Sequence, residues 1–287
     1  MALNDAAVIT AAQGFIYTNT VGAAAPTPAV LEALTPETFG CAVLNIKVTG
    51  APTTLTLTVG ANTTAALPLA ASTDVVQAAL EGLASVGVGN VLVSGVSFSD
   101  AAGLDVAIVG SKQGQTLTIT GAGTGGTAPT VVVTTKSAVN GWNNLGHTSH
   151  GTLPEFGFDG GKTKMMSTWQ RKRIRKIETG DPVEDFLTIL LEQWDRNTLR
   201  MYFGADAANT AGVFGVSGDF VPVEGSLLAV IIDGATRIGF YVPRASFERD
   251  SAVKLGTEDF AGLPVKATFL NLGNRRLYDW ISLDLLS

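Results

Sequence analysis

The chain has 287 residues, enough for one large or two modest domains with a real hydrophobic core. Charged residues make up only 15%, apolar residues 46%, and glycines number 33, a mixture of small, β-prone and turn-forming types that points to a mainly β fold. A net charge of −6 argues against a chain built to grip phosphates, and no uninterrupted apolar run nears the roughly 20 residues of a membrane span.

The first segment carries an acid where an export signal needs basic residues, so a soluble protein without such a signal is expected. Residues 1–13 read as a flexible arm or short edge element, and 15–18 as a strand. The Pro26-Thr27-Pro28 stretch is a loop, with a short turn over 30–34 after it. Cys41, the single cysteine, has no partner for an internal disulfide, and its apolar neighbours suit a buried, inert thiol.

From 41 to 136 the composition changes abruptly. Only 7 of these 96 residues are charged, against 37 of the other 191, and Phe98 is the sole aromatic, so this stretch reads as a separate inserted domain. Six Thr/Val/Leu ladders at 43–48, 54–59, 91–96, 104–109, 116–120 and 130–135 predict strands. One helix is expected over 73–85, with Val76, Leu80 and Leu83 on a single stripe, Ser72 or Thr73 as its side-chain cap and Gly87 past its end. Low charge and abundant Thr and Gly suit a small surface module rather than a catalytic domain.

Beyond 136 aromatics and charges return, so 1–40 and 137–287 together form a second, discontinuous β-domain. Its central feature is 153–177. Extended runs flank Asp159-Gly160-Gly161, which predicts a β-hairpin entering at Phe156 and returning through Trp169 as one long strand. Alternation along that strand sends Met165, Ser167, Trp169, Arg171 and Arg173 to one face, and Lys164, Met166, Thr168, Gln170, Lys172 and Ile174 to the other. Neither face is a clean core. Trp169 together with the basic run Arg171, Lys172, Arg173, Arg175 and Lys176 is therefore the candidate subunit interface, facing acidic neighbours.

The segment 183–193 fits a helix begun at Asp181-Pro182 or a strand buried on both sides, and the strand is preferred. Asp195 then caps a short helix that stops at Gly204. Residues 205–226 read as loop, 227–233 and 237–242 as a hairpin around Gly234, 245–250 as a further extended segment, and 264–272 with 278–285 as a final hairpin at Gly273-Asn274.

No catalytic constellation emerges. Gly121 to Gly126 satisfies GxGxxG, but a dinucleotide site needs a helix after it, and the residues from 130 to 135 read as a strand. His147 and His150 lack the further converging ligands that zinc requires, and no serine has a recognisable triad partner. No cofactor or metal is expected.

Several ordered motifs are recognisable: GFIYTNTVGAAAPTP, GWNNLGHTSHGTLPEFGFDGGKTKMMSTWQRKRIRKI, EQWDRNTLRMYFG, AVIIDGATRIGFYVPRASF and KATFLNLGNRRLYDW. Together they resemble the major tail tube proteins of long-tailed phages infecting actinobacteria, over about 13–40 and 139–287. The inserted ASTDVVQAALEGLASVGVGNVLVSG is similar to a small module that recurs in structural proteins of such phages. The resemblance implies a non-enzymatic virion protein with a β-sandwich or barrel-like tail tube fold and one short helix, interrupted by a small β-rich domain with one helix. It further implies self-assembly into stacked sixfold rings, a bore through which DNA passes without sequence-specific binding, and contacts with tape measure, tail tip or terminator proteins. Assembly in the host cytoplasm, with no membrane partner, is likewise what the resemblance implies. The alternative is a cell-surface or carbohydrate-binding module of a phage particle with 41–136 as the binder, against which the scarcity of aromatics weighs.

Overall fold

The computed structural model describes residues 8–127, 129–161, 163–178, 183–208, 210, 212–257 and 259–283. The chain divides into two compact units, one of residues 1–33 with 145–287 and one of residues 34–144. In chain order, β1 (Gln13–Asn19) and α1 (Pro28–Glu32) open the first unit. The second contains β2 (Val43–Thr49), β3 (Thr54–Val59), β4 (Asn62–Thr63), β5 (Leu67–Pro68), α2 (Thr73–Glu81), β6 (Val91–Gly95), β7 (Leu104–Ile108), β8 (Ile119–Thr124), β9 (Thr130–Ser137) and β10 (Asn143–Asn144). The first unit then resumes with β11 (Glu155–Asp159), β12 (Thr163–Met166), β13 (Arg175–Glu178), β14 (Glu184–Leu191), α3 (Arg196–Phe203), β15 (Val223–Asp233), β16 (Thr236–Arg249), β17 (Leu263–Phe269) and β18 (Asp279–Ile281).

In the first unit the strands run β1-β15-β16-β17-β14-β11, with β18 also pairing β16. The sheet folds back on itself at a bulge. Between the pairs Gly225–Ala245 and Leu227–Val242, Ser226 of β15 opposes both Pro243 and Arg244 of β16, which bends the ribbon and increases its twist. Proline suits this position because it has no amide hydrogen to lose from the ladder. Its carbonyl is not orphaned, since the Gly22 N–H (2.9 Å) and the Ser226 hydroxyl (2.9 Å) both donate to it. Before the bend β16 pairs with β18 at Gly239–Tyr241, and after it with β17 at Ala245–Arg249. One strand thus serves two layers. Ile16, Leu227, Phe240 and Val242 meet Leu187, Ile189, Val265, Ala267 and Phe247 in a single core, as a sandwich requires.

Aromatic rings close the open side of this curl. Phe156 on β11 packs edge-on to Phe240 on β16 at 4.5 Å between centroids, and lies 5.4 Å from Trp280 on β18. Helix α3 lies against β16 and β17. Its start is the predicted one: the Asp195 carboxylate accepts from the Asn197 and Thr198 amides, and the Thr198 hydroxyl accepts in return from the Asp195 amide.

In the second unit the sheets β6-β7-β2-β9 and β4-β3-β5, with β8 also on β3, enclose a core of Leu44, Ile46, Leu55, Leu57, Val76, Leu80, Phe98, Leu104 and Val106. Gln77 ties α2 to the sheet, its Oε1 accepting from the Val93 amide at 3.2 Å. Buried Asn90 donates to the Val86 carbonyl and accepts from the Ser111 amide and hydroxyl, pinning two loops.

Several expectations are corrected. Helix α2 ends at Glu81, where Gly82 caps it, and Ser72 holds the capping position without a side-chain hydrogen bond. The strand expected at 116–120 is β8, which runs on to Thr124 through the small residues Gly121 to Gly123. The turn at 30–34 is largely a one-and-a-half-turn helix, α1, capped by the Thr27 hydroxyl. The closing segments do not form a hairpin: β17 pairs with β14 and β16, while β18 pairs with β16. Most of the expected N-terminal arm (1–7), the Asp181-Pro182 start and the end of the expected last strand (284–285) fall outside the described residues.

Candidate functional site: a basic hairpin and an open sheet edge

The segment holding the candidate interface folds differently from the expected single strand. Gly160 and Gly161 do adopt positive φ, at 81° and 64°. Yet the strands they join do not pair with each other: β11 pairs with β14, and β12 pairs with β13. The reversal lies eight residues further on. Ile174 donates its amide to the Met166 carbonyl (2.9 Å), Thr168 donates its own to the Arg171 carbonyl (2.8 Å), and the Arg171 amide donates to the Thr168 hydroxyl (3.2 Å). The Arg173 amide donates to the Ser167 hydroxyl at 2.9 Å, and Arg173 adopts a left-handed φ of 57°. Hydroxyl side chains standing in for backbone partners make this turn without glycine.

The two-faced strand therefore becomes a two-stranded ribbon with a basic tip. Trp169 stands at the tip, 99% exposed. Arg171, Lys172 and Arg173 occupy the turn, and Arg175 and Lys176 lie on the return strand opposite Met166 and Met165. All five, with Lys164, are exposed, and none makes an ion pair among the described residues. The ribbon joins no larger sheet, and no other element packs broadly against it among the described residues. The six candidate residues are brought together on one projection.

The sheet edge formed by β11 is the second unpartnered surface. Among the described residues β11 pairs only with β14, and its Phe158 is 74% exposed. Asp159 lies directly opposite Glu184, a like-charge cross-strand pair of the kind that destabilises a sheet. Neighbouring Gly157 has a specific cause. The Phe186 ring of β14 lies over it, so that a Cβ there would come within 2.5 Å of the ring, and the Lys266 ammonium sits over the same ring, 4.4 Å from its centroid, as a cation–π partner.

A third surface is the loop between α3 and β15. Asp206 organises it by accepting from the Ala208 (2.9 Å) and Gly215 (3.0 Å) amides and pairing with Arg196, whose Nη2 also donates to the Val213 carbonyl. The two backbone amides, with the Arg196 charge added, hold the Asp206 carboxyl below its usual range. Nearby, the half-exposed Trp194 indole donates to the Ala261 carbonyl at 2.7 Å, beside the exposed Phe260. Composition alone does not single out Asp206, although an Asp two residues after a helix-ending glycine in a glycine-rich stretch is a usable signal.

His147 and His150 belong to no group of three or more metal-ligating side chains among the described residues. GxGxxG lies largely within β8 and its turn, and strand β9 follows it, which removes the helix N-terminus a pyrophosphate needs.

The first unit is thus a curled sheet with an open edge, a basic ribbon attached to no larger sheet among the described residues, and exposed aromatics. The phage tail tube protein family profile matches residues 112–287. The chain is also 42% identical over 153 residues to "Major tail protein Gp23" of Mycobacterium phage L5, covering 53% of this chain and 76% of that protein. Against the protein of the same name from Mycobacterium phage D29 the identity is 42% over 151 residues, 53% and 75% of the two chains. The chain belongs to the phage tail tube protein family, and its role is structural, in the virion tail, rather than enzymatic.

Proposed function

We propose that the chain polymerises as sixfold rings stacked into the tail tube, and that the bore of this tube is the conduit for DNA ejection. The observation that carries the assembly reading is the β12–β13 ribbon: an almost wholly exposed Trp169 and six cations without an ion pair stand on an element that, among the described residues, is attached to no larger sheet, which suits an inter-subunit contact. The net charge of −6 supports passage of DNA, because an acidic wall repels phosphate. Tape measure, tail tip and terminator proteins are the partners this reading supplies at the ends of the tube. The inserted domain, read from sequence as 41–136, decorates the exterior. In support of an insertion, 153 residues amount to 76% of the phage L5 relative, which puts that protein near 200 residues against 287 here. A sugar-binding role for the insert is disfavoured, since Phe98 is fully buried and leaves no aromatic platform between 41 and 136.

Electron microscopy of the purified protein tests this: rings or tubes are expected, and their absence under all conditions overturns the reading. Reversing charge at Arg173 and Arg175 together should abolish most tube formation while leaving the circular dichroism of the monomer unchanged. Normal tubes from that variant refute the interface role of the basic run.

A further inference from the structure

Resting on the tube reading, we infer that the basic ribbon of one copy docks along the β11 edge of a second copy, with its cations on Glu155, Asp159 and Glu184. Four observations converge on this pairing. Residues 164–176 contain six cations and no carboxylate, so the ribbon carries a single sign from its tip to the vicinity of its base, where β13 ends at Glu178. The β11 edge is the matching opposite: Glu155, Asp159 and Glu184 are exposed, alternation places all three on one face of the β11–β14 pair, and no described cation pairs with them.

The direct opposition of Asp159 and Glu184 is unfavourable in an isolated subunit and is relieved by a cation arriving from outside. The fourth observation is apolar: Phe158 lies on the other face of the edge strand from the acids and is exposed, as are Trp169, Met165 and Met166 on the ribbon, so a ribbon that straddles the edge covers the acids from one side and Phe158 from the other. Among the described residues the ribbon does not serve the edge of its own chain: β12 and β13 pair only with each other, and no ion pair joins their cations to Glu155, Asp159 or Glu184. The open strand edge supplies backbone donors and acceptors for the same contact, as edges do in strand addition.

Zero-length carbodiimide cross-linking of tubes co-assembled from isotopically light and heavy subunits tests the contact. Cross-links of mixed isotope composition joining Lys164, Lys172 or Lys176 to Glu155, Asp159 or Glu184 are expected. A charge swap supplies the second arm. The pair Arg173→Glu with Arg175→Glu, and the pair Asp159→Lys with Glu184→Lys, should each reduce tube yield at least tenfold, and combining the four should restore it. Tubes in which the ribbon lysines link only to other carboxylates, or in which the edge variant assembles normally, overturn the contact while leaving the tube reading in place. Failure of the unmodified protein to form tubes overturns both.

Discussion

Cys41 and Asp105 show how single side chains respond to their surroundings in the second unit. Burial among apolar neighbours pushes the Cys41 thiol up to about 11, so it is almost wholly protonated at neutral pH and a poor nucleophile. Maleimide labelling of the native protein should therefore be negligible over hours and become complete in denaturant; rapid native labelling would contradict this burial. At Asp105 burial acts to raise the pKa, but hydrogen bonds from Lys136 and Asn45, the latter at 2.7 Å, outweigh it and hold the carboxyl below its ordinary 3.8. A depressed carboxyl stabilises the fold above the unfolded-state pKa and loses that contribution as pH falls through the folded-state value. The Asp105 contribution to the stability of this unit should be level between about pH 4 and 8 and decline below that, with Asp105→Asn removing part of the decline, less than about 1 kcal/mol as is usual for a partly exposed ion pair. Equilibrium denaturation at several pH values measures both. The buried thiol is legible from the apolar neighbours of Cys41. The Asp105–Lys136–Asn45 cluster is not, because it unites residues from three strands.

Among the elements, β11 is the most exacting. Its Gly157 makes room for Phe186, and the ring in turn holds the edge strand against β14. Gly157→Ala should cost about 1–3 kcal/mol by overpacking, without any backbone penalty. Hydrogen exchange should locate the loss in 155–159 and leave the second unit untouched; an unchanged exchange rate at the edge would show that Phe186 moves aside freely. The strands with clear Thr/Val/Leu ladders and helix α3 were readable because their signals are local: alternation, an Asp cap and a stopping glycine. The ribbon was misread for an equally local reason. Asp159-Gly160-Gly161 is the stronger turn signature, whereas the actual reversal rests on Ser167 and Thr168 hydroxyls and on an arginine in the left-handed region. The identity of the candidate residues was thus available, but not their arrangement as a turn and return strand.

For the whole molecule, two units with separate cores predict two unfolding events. Calorimetry of the unassembled protein should resolve two transitions, and replacing 34–144 with a short Gly-Ser linker should remove one of them while tube formation persists. A single transition, or loss of assembly on deletion, would mean that the units depend on each other. The β class, the compositional break near 41 and 136 and the family resemblance were all carried by the order of residues, since composition, period and motif survive without a third dimension. Pairing was not. That β18 joins β16 instead of β17, that β16 serves two layers through a bulge at Pro243, and that Asp159 faces Glu184 at an open edge all depend on contacts between distant segments. Local propensity is nearly indifferent among such partners; burial of a shared core selects between them.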